Sequence, residues 1–298
     1  MIPLEIESIT VQAIDASWLL PGNLTLDVLR LDKIHPIISG NKWFKLKYYL
    51  QEAKALHHST IATFGGAWSN HIAATAYACK QVGLKSVGII RGEESSTPSD
   101  TLLLAKENGM QLIFVSREQY KNKLSIQESL PTKNWYWIDE GGFGATGAKG
   151  AGEILGLVPA KESYTHLVAA VGTGTMLSGL INAAQGYPQI IGISSMKGNN
   201  ELHQNVQLLT PSSVAAWNIN HEYHFGGYGK HPPELIQFIN DIYTAHQLPL
   251  DIVYTAKTFF AIKDLAAKKH FSTGSKILFI HSGGLQGNRS LSPEVLAF

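Results

Sequence analysis

Short apolar runs alternate with helical runs along most of this chain, and that alternation limits its fold more than any other feature. Strands separated by helices pair in parallel, because each helix carries the chain back across a face of the sheet. We predict strands at 60–64, 85–90, 111–115, 135–138, 166–171, 189–194 and 276–281, and helices at 69–81, 99–108, 232–246 and 251–269 with a further helix that ends at 184. The chain is therefore predicted to be an α/β protein with parallel sheets flanked by helices.

Length and composition narrow the class of protein. A chain of 298 residues is longer than most single cores, so we expect two lobes or one large α/β unit. Hydrophobic residues make up 44% and charged residues 16%, which suits a globular protein with a large core rather than a disordered chain. A net charge of +1, without a basic block interleaved with aromatic residues, argues against nucleic acid as a partner.

A single cysteine, Cys79, makes an intrachain disulfide impossible and favours a reducing compartment. Cys79 lies in an alanine-rich run predicted to be helical, where a small buried thiol is more usual than a nucleophile. The chain has no apolar run long enough to span a bilayer and no signal-peptide pattern. We therefore expect a cytoplasmic protein with no membrane partner.

One lysine follows a predicted turn in the string Ser-Gly-Asn-Lys-Trp-Phe-Lys at 39–45. The turn would project Lys42 from the start of a helix, with Lys45 on the same face one turn further on. A lysine in apolar surroundings loses its proton more readily and can then attack a carbonyl, which is how pyridoxal phosphate is attached as a Schiff base. The alternative is an ordinary basic helix start on the surface.

Two glycine-rich junctions between a predicted strand and a predicted helix are candidate anion sites. At 172–179 the string Gly-Thr-Gly-Thr-Met-Leu-Ser-Gly offers free backbone N–H groups, and it matches neither the Walker loop nor the dinucleotide-binding pattern. A monophosphate fits this loop better, and a plain tight turn is the alternative. At 65–71 the backbone amides would hold a substrate carboxylate, although Ser69 and Asn70 are also ordinary N-cap residues.

Two tyrosines and a third glycine-rich stretch complete the candidates. Tyr228 lies among glycines and Tyr254 lies in the string Asp-Ile-Val-Tyr-Thr, and each is either an acid/base group or a packing residue. The stretch 141–152 is the candidate lobe boundary, either a hinge or turn packed closely against a neighbour or a flexible linker. The histidines show no metal-ligand spacing, so we expect no catalytic metal.

Taken in order, these strings resemble the fold-type-II pyridoxal-phosphate enzymes, specifically the family of D-cysteine desulfhydrase and 1-aminocyclopropane-1-carboxylate (ACC) deaminase. Each string is weak alone, but seven in the same order are much more specific. They occupy 39–46, 65–71, 140–142, 172–179, 226–229, 253–257 and 281–284. The resemblance implies pyridoxal 5′-phosphate as cofactor, a small amino acid as substrate, a homodimer and a tryptophan synthase β-like fold. In that fold a small lobe, 48–156 here, is inserted in a larger cofactor-binding lobe formed by 1–47 and 157–298.

The resemblance also implies roles for individual residues. Lys42 would hold the cofactor, Lys45 and the 173–176 turn would lie near its phosphate, and Asn70 would bond its ring hydroxyl. The implied cofactor contacts are Lys42, Lys45, Asn70, Thr173, Gly174, Thr175, Met176 and Thr255; the implied substrate contacts are Ser69, Asn70, His71, Tyr228 and Tyr254; the implied catalytic residues are Lys42, Ser69, Tyr228 and Tyr254.

Thr255 and Ser282 favour one reaction within this family. Its ACC deaminases carry a glutamate after the tyrosine, where a carboxylate keeps the pyridine nitrogen protonated and the ring a strong electron sink. Thr255 can only hydrogen-bond, and Ser282 is polar where those deaminases have an apolar residue, so both positions resemble the desulfhydrase side. We therefore predict β-elimination from D-cysteine or a related β-substituted amino acid, giving pyruvate and ammonia, with sulfide from D-cysteine.

Two other functions stay open from the sequence. An ACC deaminase, which gives 2-oxobutyrate and ammonia, would use the same Lys42. A non-catalytic α/β module that binds a phosphate or a nucleotide would account for the 172–179 loop without any reaction.

Overall fold

The computed structural model describes residues 2, 4–17, 21–130, 134–186 and 188–298. The strands in this part of the chain are β1 (Val11–Ile14), β2 (Thr25–Arg30), β3 (Thr60–Gly66), β4 (Lys85–Arg91), β5 (Met110–Val115), β6 (Trp135–Ile138), β7 (His166–Val171), β8 (Gln189–Ser194), β9 (Trp217–Asn220) and β10 (Lys276–His281). The helices are α1 (Asn41–Ala55), α2 (Asn70–Val82), α3 (Asp100–Glu107), α4 (Lys123–Ser129), α5 (Ala145–Gly152), α6 (Thr175–Ala183), α7 (Leu202–Leu209), α8 (Pro233–His246) and α9 (Thr255–Ala267). None of these helices combines the length and apolar character needed to cross a membrane.

The strands form two sheets. The larger has the order β1-β2-β10-β7-β8-β9, and the smaller has the order β5-β4-β3-β6. Only β1, at the edge of the larger sheet, is antiparallel to its neighbour among the described strands. The prediction of an α/β fold with parallel sheets and flanking helices is confirmed.

The smaller sheet comes entirely from the middle of the chain, between residues 60 and 138. The larger sheet joins β2, from before that segment, to β10 and β7, from after it. This order along the chain is what an inserted lobe requires. The predicted lobe limits at 48 and 156 stay a prediction.

Alternate residues of the larger sheet pack on opposite faces, because successive side chains of a strand point to opposite sides. On β10, Ile277 and Phe279 join the apolar cluster that contains α8 and α9, whereas Leu278 and Ile280 join the cluster that contains α6 and α7. Both faces of this parallel sheet are therefore buried, and only the strand ends are free to carry polar function.

The glycine-dense stretch 141–152 is packed closely against its neighbours, and the flexible-linker alternative is wrong. Most of it forms α5, which packs between α1 and α6. A Cβ at Gly150 would lie 1.8 Å from the carbonyl oxygen of Phe44, and one at Gly179 would lie 2.4 Å from that of Ala148. Glycine is required in these helices because their backbones touch.

Other elements differ from the sequence prediction. The predicted helix 251–269 begins only at Thr255, because residues 251–254 form a turn that caps it. The prediction omitted β1, β2, β9, α4, α5 and α7. These are the short or polar elements, whose local pattern is weak.

Candidate active site

A cleft of about 930 Å³ opens where strands of both sheets end. Its walls include residues 66–71 after β3, residues 170–174 at the end of β7 and residues 282–284 after β10. In α/β proteins ligands bind at the carboxyl ends of the parallel strands, where successive loops converge. The cleft is thus where this fold would hold a ligand.

Lys42 lies in this cleft, on the first turn of α1. Gly40 precedes it at φ 61°, and the N–H of Asn41 donates to the carbonyl of Ser282 at 3.1 Å. The Lys42 Nζ donates to Asn41 Oδ1 at 2.7 Å. Burial lowers the pKa of this amine to about 8, and the carboxylate of Asp251 opposes part of that shift. A far larger fraction of Lys42 than of an ordinary lysine is therefore neutral and nucleophilic near neutral pH, although the protonated form still predominates there.

Lys45 follows one turn later and faces the same cleft. It is 5% exposed, and its Nζ donates to the carbonyl of Gly141 at 3.1 Å. Burial, followed by the charge of Lys42, holds the pKa of Lys45 well below its usual value. A bound anion would offset both effects, so the two lysines together fit an anionic ligand.

Asn70 offers an unused acceptor to the cleft. Its Nδ2 donates to the carbonyl of Gly284 at 3.3 Å, while its buried Oδ1 has no hydrogen-bond partner among the described residues. A buried polar atom without a partner is costly unless a ligand satisfies it. The hydroxyl of a pyridine ring would be such a donor. Ser69 is the N-cap residue of α2, yet its side chain makes no capping bond, so the capping alternative does not account for that hydroxyl.

The loop from Gly172 to Thr175 forms the N-terminus of α6. Gly174 is the N-cap at φ 93°, and no side chain in the described part of the chain caps the helix, which leaves its first N–H groups open to a ligand. A Cβ at Gly172 would lie 3.3 Å from the ring of Tyr254. The Thr173 and Thr175 hydroxyls are 3.0 Å apart. Thr173, Gly174 and Met176 line the cleft, whereas Thr175 is fully buried behind it.

Tyr228 and Tyr254 meet at the other side of the cleft. Their ring centroids are 6.0 Å apart in an edge-to-face arrangement, and both rings line the wall. Burial raises the pKa of Tyr254 well above its usual value, and partial burial raises that of Tyr228, which is still 44% exposed. Both hydroxyls are therefore protonated at neutral pH and are available as donors.

Thr255 does not line the cleft, although the resemblance implied a cofactor contact. It is fully buried, and its hydroxyl donates to the carboxylate of Asp251 at 2.5 Å. The same carboxylate accepts the N–H groups of Val253, Tyr254 and Thr255. Sequence reasoning missed Asp251, whose available signal was an acidic residue at the first position of the predicted helix 251–269.

His71 and Ser282 also line the cleft. His71 is 2% exposed and its Nε2 lies 2.9 Å from the hydroxyl of Thr63. Burial, with the nearby charges of Lys42 and Lys45, holds the pKa of His71 well below its usual value, so the ring is neutral.

The structure brings together all the implied site residues except Thr175 and Thr255. The wall also contains four cationic residues that sequence reasoning did not select: Arg91, Arg117, Lys123 and Lys197.

The fold is that of an α/β protein, and three features of its cleft define the kind of site. They are a lysine of lowered pKa, a helix N-terminus open to a phosphate, and an amide oxygen without a partner among the described residues. Lys42, Asn70 and the loop of α6 fit pyridoxal phosphate. Residues 26–283 match the family described as pyridoxal-phosphate dependent enzyme, and the chain belongs to this family. Membership of an enzyme family decides against the non-catalytic phosphate-binding module.

Comparison with individual relatives shows which members of the family this chain is similar to. The chain is 31% identical over 287 residues to a provisionally named 1-aminocyclopropane-1-carboxylate deaminase of Pyrococcus abyssi, covering 87% of this chain and 84% of the relative. It is 29% identical to a bifunctional D-cysteine desulfhydrase/1-aminocyclopropane-1-carboxylate deaminase of Arabidopsis thaliana, covering 91% and 75%. The crystal structure of an ACC deaminase homologue superposes with a TM-score of 0.79 at 29% identity, covering 94% and 90%. An O-ureido-L-serine synthase, at 14% identity and a TM-score of 0.71, shares the fold.

Proposed function

We propose that this enzyme catalyses β-elimination from a small amino acid, with D-cysteine as the leading substrate, to give pyruvate, ammonia and sulfide. The observation that carries the proposal is the amine of Lys42, which lines the cleft with a pKa lowered to about 8. A group with such a pKa can take up a proton from carbon near neutral pH. The names of the relatives from Arabidopsis thaliana and Yersinia enterocolitica, both D-cysteine desulfhydrases, support this reaction.

Each side of the cleft would contribute one task. The N–H groups at the start of α2, beside Ser69, would hold the substrate carboxylate. When bound, pyridoxal phosphate supplies an electron sink next to the Cα atom. Lys42 would take the proton from Cα, and the Cβ–S bond would break with its electron pair leaving on sulfur. Tyr228 or Tyr254, both protonated, would donate a proton to that sulfur, and water would complete the release of pyruvate and ammonia.

The position after Tyr254 favours elimination over ring opening. Thr255 carries no charge, and the nearby carboxylate of Asp251 already accepts three N–H groups and the Thr255 hydroxyl. A pyridine nitrogen without a carboxylate partner is a weaker electron sink. A departing thiolate takes the electrons itself, whereas opening a cyclopropane requires more of the ring.

ACC deamination is the second candidate, because relatives from three Pyrococcus species carry that name at 28–31% identity. The two reactions are separated by assaying the holoenzyme with D-cysteine, L-cysteine and ACC and identifying the 2-oxo acid. We expect pyruvate from D-cysteine and little 2-oxobutyrate from ACC. A higher kcat/KM on ACC would overturn this order.

The role of Lys42 has a matched control on the same helix. Lys42→Ala should abolish turnover and the yellow colour of the loaded protein. Lys47→Ala should retain both, since Lys47 pairs with Glu153 and does not line the cleft. Turnover and colour retained in Lys42→Ala would refute the assignment of Lys42.

Assembly and location belong to the same proposal. The family resemblance supports a homodimer, and the single cysteine supports a reducing compartment such as the cytoplasm. Light scattering on the eluting protein tests the first point. A mass equal to one chain at micromolar concentration would contradict the dimer.

A further inference from the structure

Lys257 is a buried lysine that the proposed chemistry does not use. It lies on the first turn of α9, is fully buried, and is absent from the wall of the cleft. Burying an amine is costly unless hydrogen bonds replace the lost water. The place of Lys257 in the fold therefore calls for a role that a neutral apolar residue would not fill.

The partners of Lys257 are two backbone carbonyls of one loop. Its Nζ donates to the carbonyl of Gly227 at 2.7 Å and to that of His224 at 3.0 Å. These two residues bracket the turn that precedes Tyr228. An amine keeps at least two N–H groups in either protonation state, so both bonds persist whether or not Lys257 is charged.

The loop at 224–229 needs such an anchor. Four of its residues have φ between 51° and 130°: Phe225, Gly226, Gly227 and Gly229. This conformation costs free energy for phenylalanine, and glycine can change from it to other conformations without a steric penalty. The loop also makes an apolar contact with α9, because the ring centroid of Phe225 lies 5.0 Å from that of Phe260. Polar and apolar anchors thus come from the same helix.

The start of α9 consequently determines the positions of both cleft tyrosines, Tyr228 and Tyr254. Tyr254 is the N-cap residue of that helix, and Lys257 reaches from its first turn to the Tyr228 loop. We propose that Lys257 is a positioning residue that fixes the 224–229 loop on α9, so that Tyr228 stays against Tyr254 at the cleft. The proposal rests on the proposed function in so far as Tyr228 acts on the substrate.

A double-mutant cycle tests whether Lys257 acts through Tyr228. With D-cysteine, we expect Lys257→Met to lower kcat/KM at least tenfold in the holoenzyme, mainly through kcat. In the Tyr228→Phe background the same change should cost less than twofold, because interacting positions are not additive. An equal loss in both backgrounds would overturn the proposal. Lys263→Met is the matched control, since Lys263 lies on the same helix over the ring of Phe238, outside the cleft.

A second measurement is independent of turnover. Trypsin can cut after the exposed Lys230, which directly follows the loop. We expect cleavage there at least tenfold faster in folded Lys257→Met holoenzyme than in wild type or Lys263→Met. Unchanged cleavage would refute the anchoring role. If Lys257→Met does not fold, Lys257→Gln, which keeps one donor group, serves in both measurements with the same direction expected.

The two measurements separate this proposal from the proposed function. Absence of turnover by the wild-type holoenzyme on every amino acid would refute the proposed function alone. The cleavage at Lys230 would still decide whether Lys257 holds the loop.

Discussion

The hydroxyl of Thr255 donates a 2.5 Å hydrogen bond to the carboxylate of Asp251, and both residues are fully buried. The same hydroxyl accepts the N–H of Asp251 at 2.7 Å. Thr255, on which the proposed preference for elimination rests, is thus part of the cap of α9. Thr255 does not line the cleft and contacts Asp251 behind the cleft wall.

Thr255→Val should therefore destabilise the fold. The change keeps the shape but leaves a buried carboxylate oxygen and an N–H with one partner fewer, which costs about 1–3 kcal/mol. Urea unfolding of the apoenzyme measures this difference. Thr258→Val is the control, since it removes only a bond of 2.9 Å to the helix carbonyl of Tyr254 and should cost less. A larger loss in Thr258→Val would contradict the importance of the cap.

Loading of the apoenzyme with pyridoxal phosphate should depend on pH through Lys42. Only the neutral amine attacks the aldehyde, and the pKa of Lys42 is lowered from 10.5 to about 8. The rate of appearance of the yellow form should therefore rise up to about pH 8 and level off above it. Stopped-flow absorbance across this range measures the midpoint. A rate still rising steeply at pH 10 would show an ordinary lysine.

Asn70→Ala should weaken cofactor binding. The change removes the buried Oδ1 that has no partner among the described residues and the bond to Gly284. Loss of one such hydrogen bond is worth about 1.4 kcal/mol, or tenfold in Kd. Quenching of tryptophan fluorescence on titration with cofactor gives the Kd. Asn182→Ala, which loses a surface bond to the carbonyl of Leu209, should leave it unchanged.

Gly150→Ala should disturb the contact between α5 and α1. The added Cβ would lie 1.8 Å from the carbonyl oxygen of Phe44, so one helix must shift. Overpacking of this kind costs about 1–3 kcal/mol or more. The thermal midpoint should fall clearly. Gly156→Ala should leave it nearly unchanged, because no described residue apart from the chain neighbours lies within 4 Å of the new Cβ.

The sequence revealed the elements with strong periodicity and missed those held by distant partners. The inner strands β7 and β10 are nearly continuous apolar runs, and they were readable because both of their faces are buried. Strand β2 was not, since Asp27 and Arg30 interrupt it. Asp27 accepts a bond from Tyr164, 137 positions away, and Arg30 donates to the side chain of Gln12, 18 positions away. Partners this far apart along the chain cannot be predicted from a local sequence pattern.

The candidate site was readable for a different reason. Lys42, Asn70 and Gly174 each lie in a short string at a strand or helix junction, where backbone conformation restricts the residue type. Asp251 and Lys257 act through burial and through contacts made across the fold. Their identity as a carboxylate and a lysine was visible, but their environment was not.

The contact between Gly40 and Ser282 joins two segments that lie far apart along the chain. A Cβ at Gly40 would lie 1.8 Å from the carbonyl oxygen of Ser282, so the turn before Lys42 rests directly on the loop that follows β10. Ser282 comes 240 residues after Lys42 in the sequence. During synthesis the turn that holds Lys42 therefore lacks this support until the ribosome has passed Ser282.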